Sequence, residues 1–242
     1  MSSLGKVKKI GLVYAMSLEA KPLLETLKFR QVLLPHEKSP VLRYEASWKG
    51  LELFLACAGE DPRYRVANVG TAGAVLATQT LTQQCDLELI LNPGTAGGFQ
   101  SRGAVIGDVY FGKRDVRFFD RRTPVRRYQE AFLGKYPVIE ASQLAKRVGV
   151  KLGHVCTGSS FDCSPTDLNC LVAQDADLKE MEAAAIGWVS WIQGIPFLPI
   201  KAVTDLVESH ETAEAQFVQN YRLACRQLTQ AVIATLEALA GE

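Results

Sequence analysis

Apolar runs of strand length alternate along this chain with stretches whose apolar residues recur at helical spacing, and that alternation leaves few folds open. Residues 10–15 read as a strand, followed by a helix over about 18–27. Residues 41–48 and 51–57 read as a hairpin turned by Lys49-Gly50. A helix is expected over about 66–83, then a short strand over 87–91 that ends at Asn92-Pro93-Gly94. Strands near 105–111 and 153–157 follow, separated by an arginine-rich loop and a short helix around 142–148. A helix over about 183–192, a strand over 197–203 and a last helix over about 212–238 complete the pattern. In that last helix Phe217, Tyr221, Ala224, Leu228, Val232 and Leu236 share a face. Strands alternating with helices predict an α/β fold: one domain over 1–242, with a mixed, mostly parallel central sheet flanked by helices in three layers.

Composition excludes several classes. With 242 residues, 48% hydrophobic and 22% charged, the chain can bury a large core and is neither disordered nor fibrous. Its 27 basic and 26 acidic side chains give a net charge of +1, which supplies no global pull toward nucleic acid or anionic lipid. Six scattered cysteines without a CxxC read as small buried hydrophobes in a reducing compartment. His36, His154 and His210 have no partners at metal-ligand spacing, so neither a metal nor a cofactor is expected. The basic start at Lys6 and the apolar run after it lack a small-residue cleavage pattern, and Glu19 and Lys21 follow closely. Residues 183–200 carry no charge but hold Ser190, Gln193, Gly194, Pro196 and Pro199, which reads as a buried helix, a turn and a buried strand rather than a membrane span. A soluble, cytosolic protein is expected.

In open α/β sheets ligands bind beyond the carboxyl ends of the strands. Three polar clusters fall there: Ala15-Met16-Ser17-Leu18-Glu19, Gly94-Thr95-Ala96-Gly97-Gly98 and Lys201-Ala202-Val203-Thr204-Asp205. A fourth, Glu180-Met181-Glu182, precedes the uncharged helix, and extended spacing would put its two carboxylates on one side. Each has a plain structural reading: a first-turn helix carboxylate at Glu19, a tight strand-to-helix turn at Gly94–Gly98, a cap or turn at Thr204-Asp205. Glu182 resists such a reading, because a carboxylate next to a buried helix is costly unless it is paired or binds ligand hydroxyls. Together the clusters predict a pocket with three carboxylates, a threonine and exposed backbone donors. Lys201 is the one cation in these motifs, so the pocket does not look built for phosphate.

These motifs, with Asn92-Pro93 before the glycines and Gly107-Asp108-Val109 between them, occur in the order found in the 5′-methylthioadenosine/S-adenosylhomocysteine nucleosidases of the nucleoside phosphorylase superfamily, which the chain resembles from about residue 9 to 236. Asp120-Arg121-Arg122-Thr123-Pro124, Gly158-Ser159-Ser160-Phe161-Asp162 and Thr212-Ala213-Glu214 resemble the plant-type branch. The resemblance implies hydrolysis of the N-ribosidic bond of methylthioadenosine, with S-adenosylhomocysteine as second candidate, and a homodimer in which one subunit closes the other's pocket. It implies that Glu19 deprotonates the attacking water and that Asp205 protonates N7 of adenine. Glu182 would bind the ribose hydroxyls, with Met181 on the ribose face, Thr95 by the sugar and Met16 among the substrate-binding residues. Gly97 would touch the base, Phe161 would stack on it, the backbone of Asp162 would read its edge, and Thr204 would support Asp205. The chemistry suits these residue types, since an oxocarbenium-like transition state needs an acid at the leaving group and a base at the water.

Phe119 stands where relatives usually have His, and Ser159 where an acidic residue is expected; both bear on pocket shape or loop packing. Gly59-Glu60-Asp61-Pro62-Arg63 looks like a phosphate loop but follows the wrong strand, which favours hydrolysis over phosphorolysis. Arg114, Arg117, Arg121, Arg122, Arg126 and Arg127, interleaved with Phe118, Phe119 and Tyr128, read as a solvated loop or a subunit contact rather than a nucleic-acid patch. The competing functions are a nucleosidase or phosphorylase for another purine nucleoside such as futalosine, and a non-catalytic storage protein, which would be expected to have lost its acid or base.

Overall fold

Ten strands join in one sheet in the computed structural model, which describes residues 7–33 and 38–241. Lys6 and His36 lie outside the described residues. The chain begins β1 (Lys9–Tyr14), α1 (Ser17–Thr26), β2 (Arg30–Val32), β3 (Leu42–Trp48), β4 (Leu51–Cys57), α2 (Thr71–Gln84) and β5 (Leu89–Gly98). It continues with β6 (Val109–Phe118), α3 (Arg126–Leu133), β7 (Tyr136–Pro137), α4 (Ser142–Val148) and β8 (Lys151–Thr157). Last come α5 (Pro165–Ala173), β9 (Leu178–Glu180), α6 (Ala183–Gln193), β10 (Phe197–Leu206) and α7 (Ala213–Ala240).

β1 pairs parallel with β4 on one side and β5 on the other, and its Ile10, Leu12 and Val13 are fully buried, as a strand covered on both faces requires. The β3–β4 hairpin turns at Lys49 and Gly50, both at positive φ, which is the geometry a two-residue hairpin turn needs. Beyond β5 the sheet does not stay open. β5 pairs parallel with β10, β10 antiparallel with β6, β6 parallel with β8, β8 parallel with β9, and β9 returns antiparallel to β5. Helices cover both faces: Ala20 and Leu23 of α1, Ala145 of α4 and Leu228 and Val232 of α7 join one core cluster, while Ala74 and Leu81 of α2 and Ala183–Ile186 of α6 join the other.

Several elements differ from the sequence expectation. α2 starts at Thr71 rather than near 66, because Gly70 at φ +95° breaks the helical path before it. β5 and β10 run on through Asn92-Pro93-Gly94 and Thr204-Asp205, so the Gly94–Gly98 segment is strand and not a strand-to-helix turn. Their mutual parallel pairing supplies the hydrogen bonds that turn-forming residues would otherwise lack. β6 begins at Val109 instead of near 105, since Asp108 closes a turn onto Val105 and Gly107 sits at φ +86°. It then extends to Phe118, so Arg114 and Arg117 lie on a strand, and Arg126 and Arg127 lie on α3. Phe118 and Phe119 are buried, and Arg121 stacks 3.3 Å from the Phe118 ring centre, leaving neither ring free for bases.

The closed part of the sheet depends on close approach at Gly112 in β6, where a Cβ would lie 2.4 Å from Cγ of Pro199 in β10. Proline cannot swing aside as a flexible side chain does. Gly112→Ala is therefore expected to lower stability by about 1–3 kcal/mol, read as a fall in the urea midpoint.

Candidate active site

A cavity of about 550 Å³ opens where β1, β5 and β10 end, bounded on one side by β9. Glu19 enters it from the first turn of α1 and is nearly fully buried. Its Oε1 accepts from the Thr95 N–H at 3.0 Å and from the Thr95 hydroxyl at 2.8 Å, which anchors one oxygen on β5. Met16, the residue that caps α1, also lines the cavity.

Asp205 reaches the cavity through a slip in strand register. β10 pairs with β5 residue for residue up to Val203, opposite Ala96; the next pair is Asp205 with Gly97, so Thr204 is passed over. In unbroken register Thr204 would stand opposite Gly97 and Asp205 opposite Gly98, facing away, because side chains alternate along a strand. Thr204 donates its hydroxyl to Asp205 Oδ1 at 2.8 Å. From α7, Asn220 donates to the Thr204 carbonyl at 3.0 Å, and Gln216 accepts from the Leu206 N–H at 2.9 Å, pinning the irregular strand. Gly97 carries no side chain where a Cβ would lie 2.7 Å from Asp205 Oδ2. The bare backbone leaves room for a flat ligand beside that carboxyl.

Glu180, Met181 and Glu182 also line the cavity, but a bend and not an extended run brings the two carboxylates there, since β9 ends at Glu180. Glu180 accepts from the Thr157 hydroxyl, from the Glu182 N–H at 3.0 Å and from the Ala183 N–H at 2.8 Å, so it caps α6. It also pairs with Lys201 Nζ at 2.9 Å, both side chains being 1% exposed. Lys201 runs beneath Gly94, where a Cβ would be 3.2 Å from Nζ and 4.0 Å from Glu19 Oε1. The Glu182 carboxylate accepts, among the described residues, one bond, from the Gly70 N–H at 2.7 Å.

The opposite wall is a loop after β8. Phe161, half-exposed, meets the edge of Phe217 at 5.5 Å between ring centres, and Asp162 and Cys163 continue the lining. Phe217 reads in the sequence as a core residue of the last helix; here it belongs to the cavity. Lys179, Asn220, Gln216 and Gly70 are further contributors that sequence reading missed, since their partners are distant in the chain. Phe119 is buried against Gly158, behind the loop, and the Ser159 N–H donates to Asp120 at 2.7 Å; neither side chain lines the cavity. Arg63 and Tyr64 close a turn on Asp61, away from the site. Among the described residues no group of three or more His, Cys, Asp or Glu side chains is placed to hold a metal ion.

A sequence model of the phosphorylase superfamily matches residues 9–237. The chain belongs to that superfamily. Among its relatives, the 5′-methylthioadenosine/S-adenosylhomocysteine nucleosidase of Arabidopsis thaliana is 33% identical over 99% of this chain and 96% of its own. The 5′-methylthioadenosine nucleosidase of the same plant is 35% identical over 88% and 80%. A solved apo structure of Arabidopsis thaliana 5′-methylthioadenosine nucleosidase superposes with a TM-score of 0.95 over 98% of both chains, at 32% identity. The futalosine hydrolase of Helicobacter pylori shares the fold, at a TM-score of 0.79 and 19% identity.

In this phosphorylase-superfamily chain burial raises the pKa of three of the site's carboxyls. It raises the Asp205 pKa, against the Thr204 hydrogen bond and the Lys179 ammonium. It raises Glu19 as well, against the Thr95 hydroxyl and Lys201. Glu182 is pushed up to about 7, by burial first and then by the neighbouring Glu180 charge. A carboxyl whose folded value lies above its unfolded value of 4.5 carries no penalty below that pH, a growing one as pH rises, and the full one above about 7. Glu182→Gln, which keeps an acceptor for Gly70, should therefore melt higher than the native chain at pH 8 and close to it at pH 5, in matched thermal scans.

Proposed function

We propose that the chain hydrolyses the N-ribosidic bond of 5′-methylthioadenosine, releasing adenine and 5-methylthioribose. The arrangement that carries this reading is the placement of Glu19 and Glu182 on one side of the cavity and Asp205 beside the bare Gly97 on the other. The two Arabidopsis nucleosidases similar along most of the chain support it.

In this reading the adenine lies over Gly97, stacked on Phe161, with its edge against the Asp162 backbone. Glu182 accepts from the ribose hydroxyls, Met181 covers the sugar and Thr95 lies beside it. Asp205, whose pKa burial raises, gives its proton to N7 as the N9–C1′ bond breaks and the electron pair passes to the base. Glu19, made more basic by burial, takes a proton from the water whose oxygen bonds to C1′. Negative charge on Glu182, beside the ribose, opposes the positive charge that develops on the sugar. Thr204 holds Asp205 by its 2.8 Å hydrogen bond and aims it.

Water rather than phosphate is the proposed nucleophile. Among the described residues no arginine lines the cavity, Lys201 is paired with Glu180, and Lys179 donates to two backbone carbonyls. Met16, Val69 and Phe217 give the lining an apolar component that suits a methylthio group better than an amino-acid tail. We place the activity in the cytosol: all six cysteines are free, and among the described residues no helix is long and apolar enough to cross a membrane.

A homodimer is part of the proposal, with the single domain as its unit. Leu76 of α2 and Trp188, Trp191 and Ile192 of α6 are exposed, Trp191 by 63%. Arg121 and Trp188 border one groove on that face, and Val69, exposed itself, also lines the catalytic cavity. Exposed large apolar side chains on two helices that pack together fit a symmetric subunit contact. Trp191→Glu is expected to halve the mass measured by light scattering; an unchanged mass places the contact elsewhere.

The deciding assay is adenine release from methylthioadenosine, alongside S-adenosylhomocysteine, with and without phosphate. Release independent of phosphate is expected, fastest with methylthioadenosine. Phosphate dependence would indicate a phosphorylase, and no release would favour a storage protein or another nucleoside. Asp205→Asn should stay folded and lose at least about 100-fold in kcat.

A further inference from the structure

Lys179, Gly97 and Asp205 form a row across three neighbouring strands. Gly97 of β5 is the register partner of Lys179 in β9 on one side and of Asp205 in β10 on the other. Register partners project to the same face, so an ammonium and a carboxyl flank the bare glycine backbone. Lys179 is buried, and its Nζ donates to the Ser160 carbonyl and to the Phe161 carbonyl, each at 2.8 Å. Those carbonyls belong to the loop that presents Phe161 and Asp162 to the cavity. Burying an ammonium costs desolvation and rotamer freedom, so its presence calls for a compensating role beyond packing.

On the reading that adenine occupies this cavity, we propose that Lys179 is a positioning residue: it ties the base-stacking loop to the sheet at the level of the acid, so that stacking and protonation act on the same ring. The same ammonium sets the charge beside Asp205, whose raised pKa it pulls back down. The groups facing Lys179 are Asp205 from β10, Asp162 and Cys163 from the loop, and Asp167 from the first turn of α5; Thr204 adds a hydrogen bond to Asp205, and His210 stands on the cavity lining. A hydrophobic residue at 179 would leave the Ser160 and Phe161 carbonyls without their donor and remove the cation from Asp205.

The test is kcat and KM for methylthioadenosine across about pH 5–9 for the full-length native chain, Lys179→Met and Lys179→Arg. In Lys179→Met the KM should rise about tenfold or more, as the stacking ring is no longer held. The basic limb of kcat should move up by about half a pH unit or more, because an acid that has lost its cation stays protonated to higher pH. Lys179→Arg keeps the charge and should return the limb to its native position. A purely structural role would lower the melting temperature and leave the limb where it was, and an unshifted limb overturns the assignment whatever KM does. If Lys179→Met does not fold, Lys179→Gln carries the test on the basic limb, since it removes the charge while keeping a donor for the loop, and an unshifted limb there overturns the assignment equally. If the native chain releases no adenine, the functional reading fails by itself. Calorimetric affinity for adenine then tests the tether, and equal affinities for native and Lys179→Met chains overturn it.

Discussion

The Glu180–Lys201 ion pair is the interaction on which the site depends. Glu19, Glu180 and Glu182 are all buried around one cavity, and a carboxylate taken out of water without a partner costs several kcal/mol. Lys201 offsets part of that for all three: it bonds Glu180 directly and its charge lowers the pKa of both Glu19 and Glu182. Glu180 in turn caps α6 and holds the backbone of the segment from which Glu182 projects. One neutralised pair therefore leaves Glu19 and Glu182 under-compensated, and burial raises the pKa of both.

Backbone geometry decides the other half of the site. The register slip at Thr204 turns Asp205 inward, and the Asn220 and Gln216 bonds from α7 hold the strand in that irregular path. Closure of β5, β10, β6, β8 and β9 on one another brings β9, and with it Lys179 and Glu180, beside Gly97. An open sheet ending at β5 would have left one wall of the cavity missing. The same fold serves a futalosine hydrolase at 19% identity, so reaction and substrate are set by side chains placed in this frame and not by the frame itself.

Phe119 and Ser159 show how a departure from a family pattern is absorbed. The Phe119 ring packs where a Cβ on Gly158 would lie 2.2 Å away, and Ser159 contributes its backbone N–H to Asp120. Both act on the packing beneath the loop after β8, leaving the cavity wall to Phe161, Asp162 and Cys163.

Local chemistry alone made the main strands and helices legible. Ile10 to Val13, the Lys49-Gly50 turn, the uncharged α6 and the apolar face of α7 each state their structure within a short window, because period and turn propensity are short-range properties. The polar clusters at the strand ends likewise marked Glu19, Thr95, Glu182 and Asp205. The sequence could not tell that Gly94–Gly98 and Thr204-Asp205 are strand, that α2 begins only after Gly70, or that β9 closes the ring. Those depend on hydrogen bonds between residues far apart in the chain. It also left the roles of Glu180 and Lys201 unresolved, for the same reason. A carboxylate and an ammonium 21 positions apart become one buried pair only when β9 and β10 flank β5. Residue types and their order determined what chemistry this chain can hold; tertiary pairing decided which charges face one another and which are left to act.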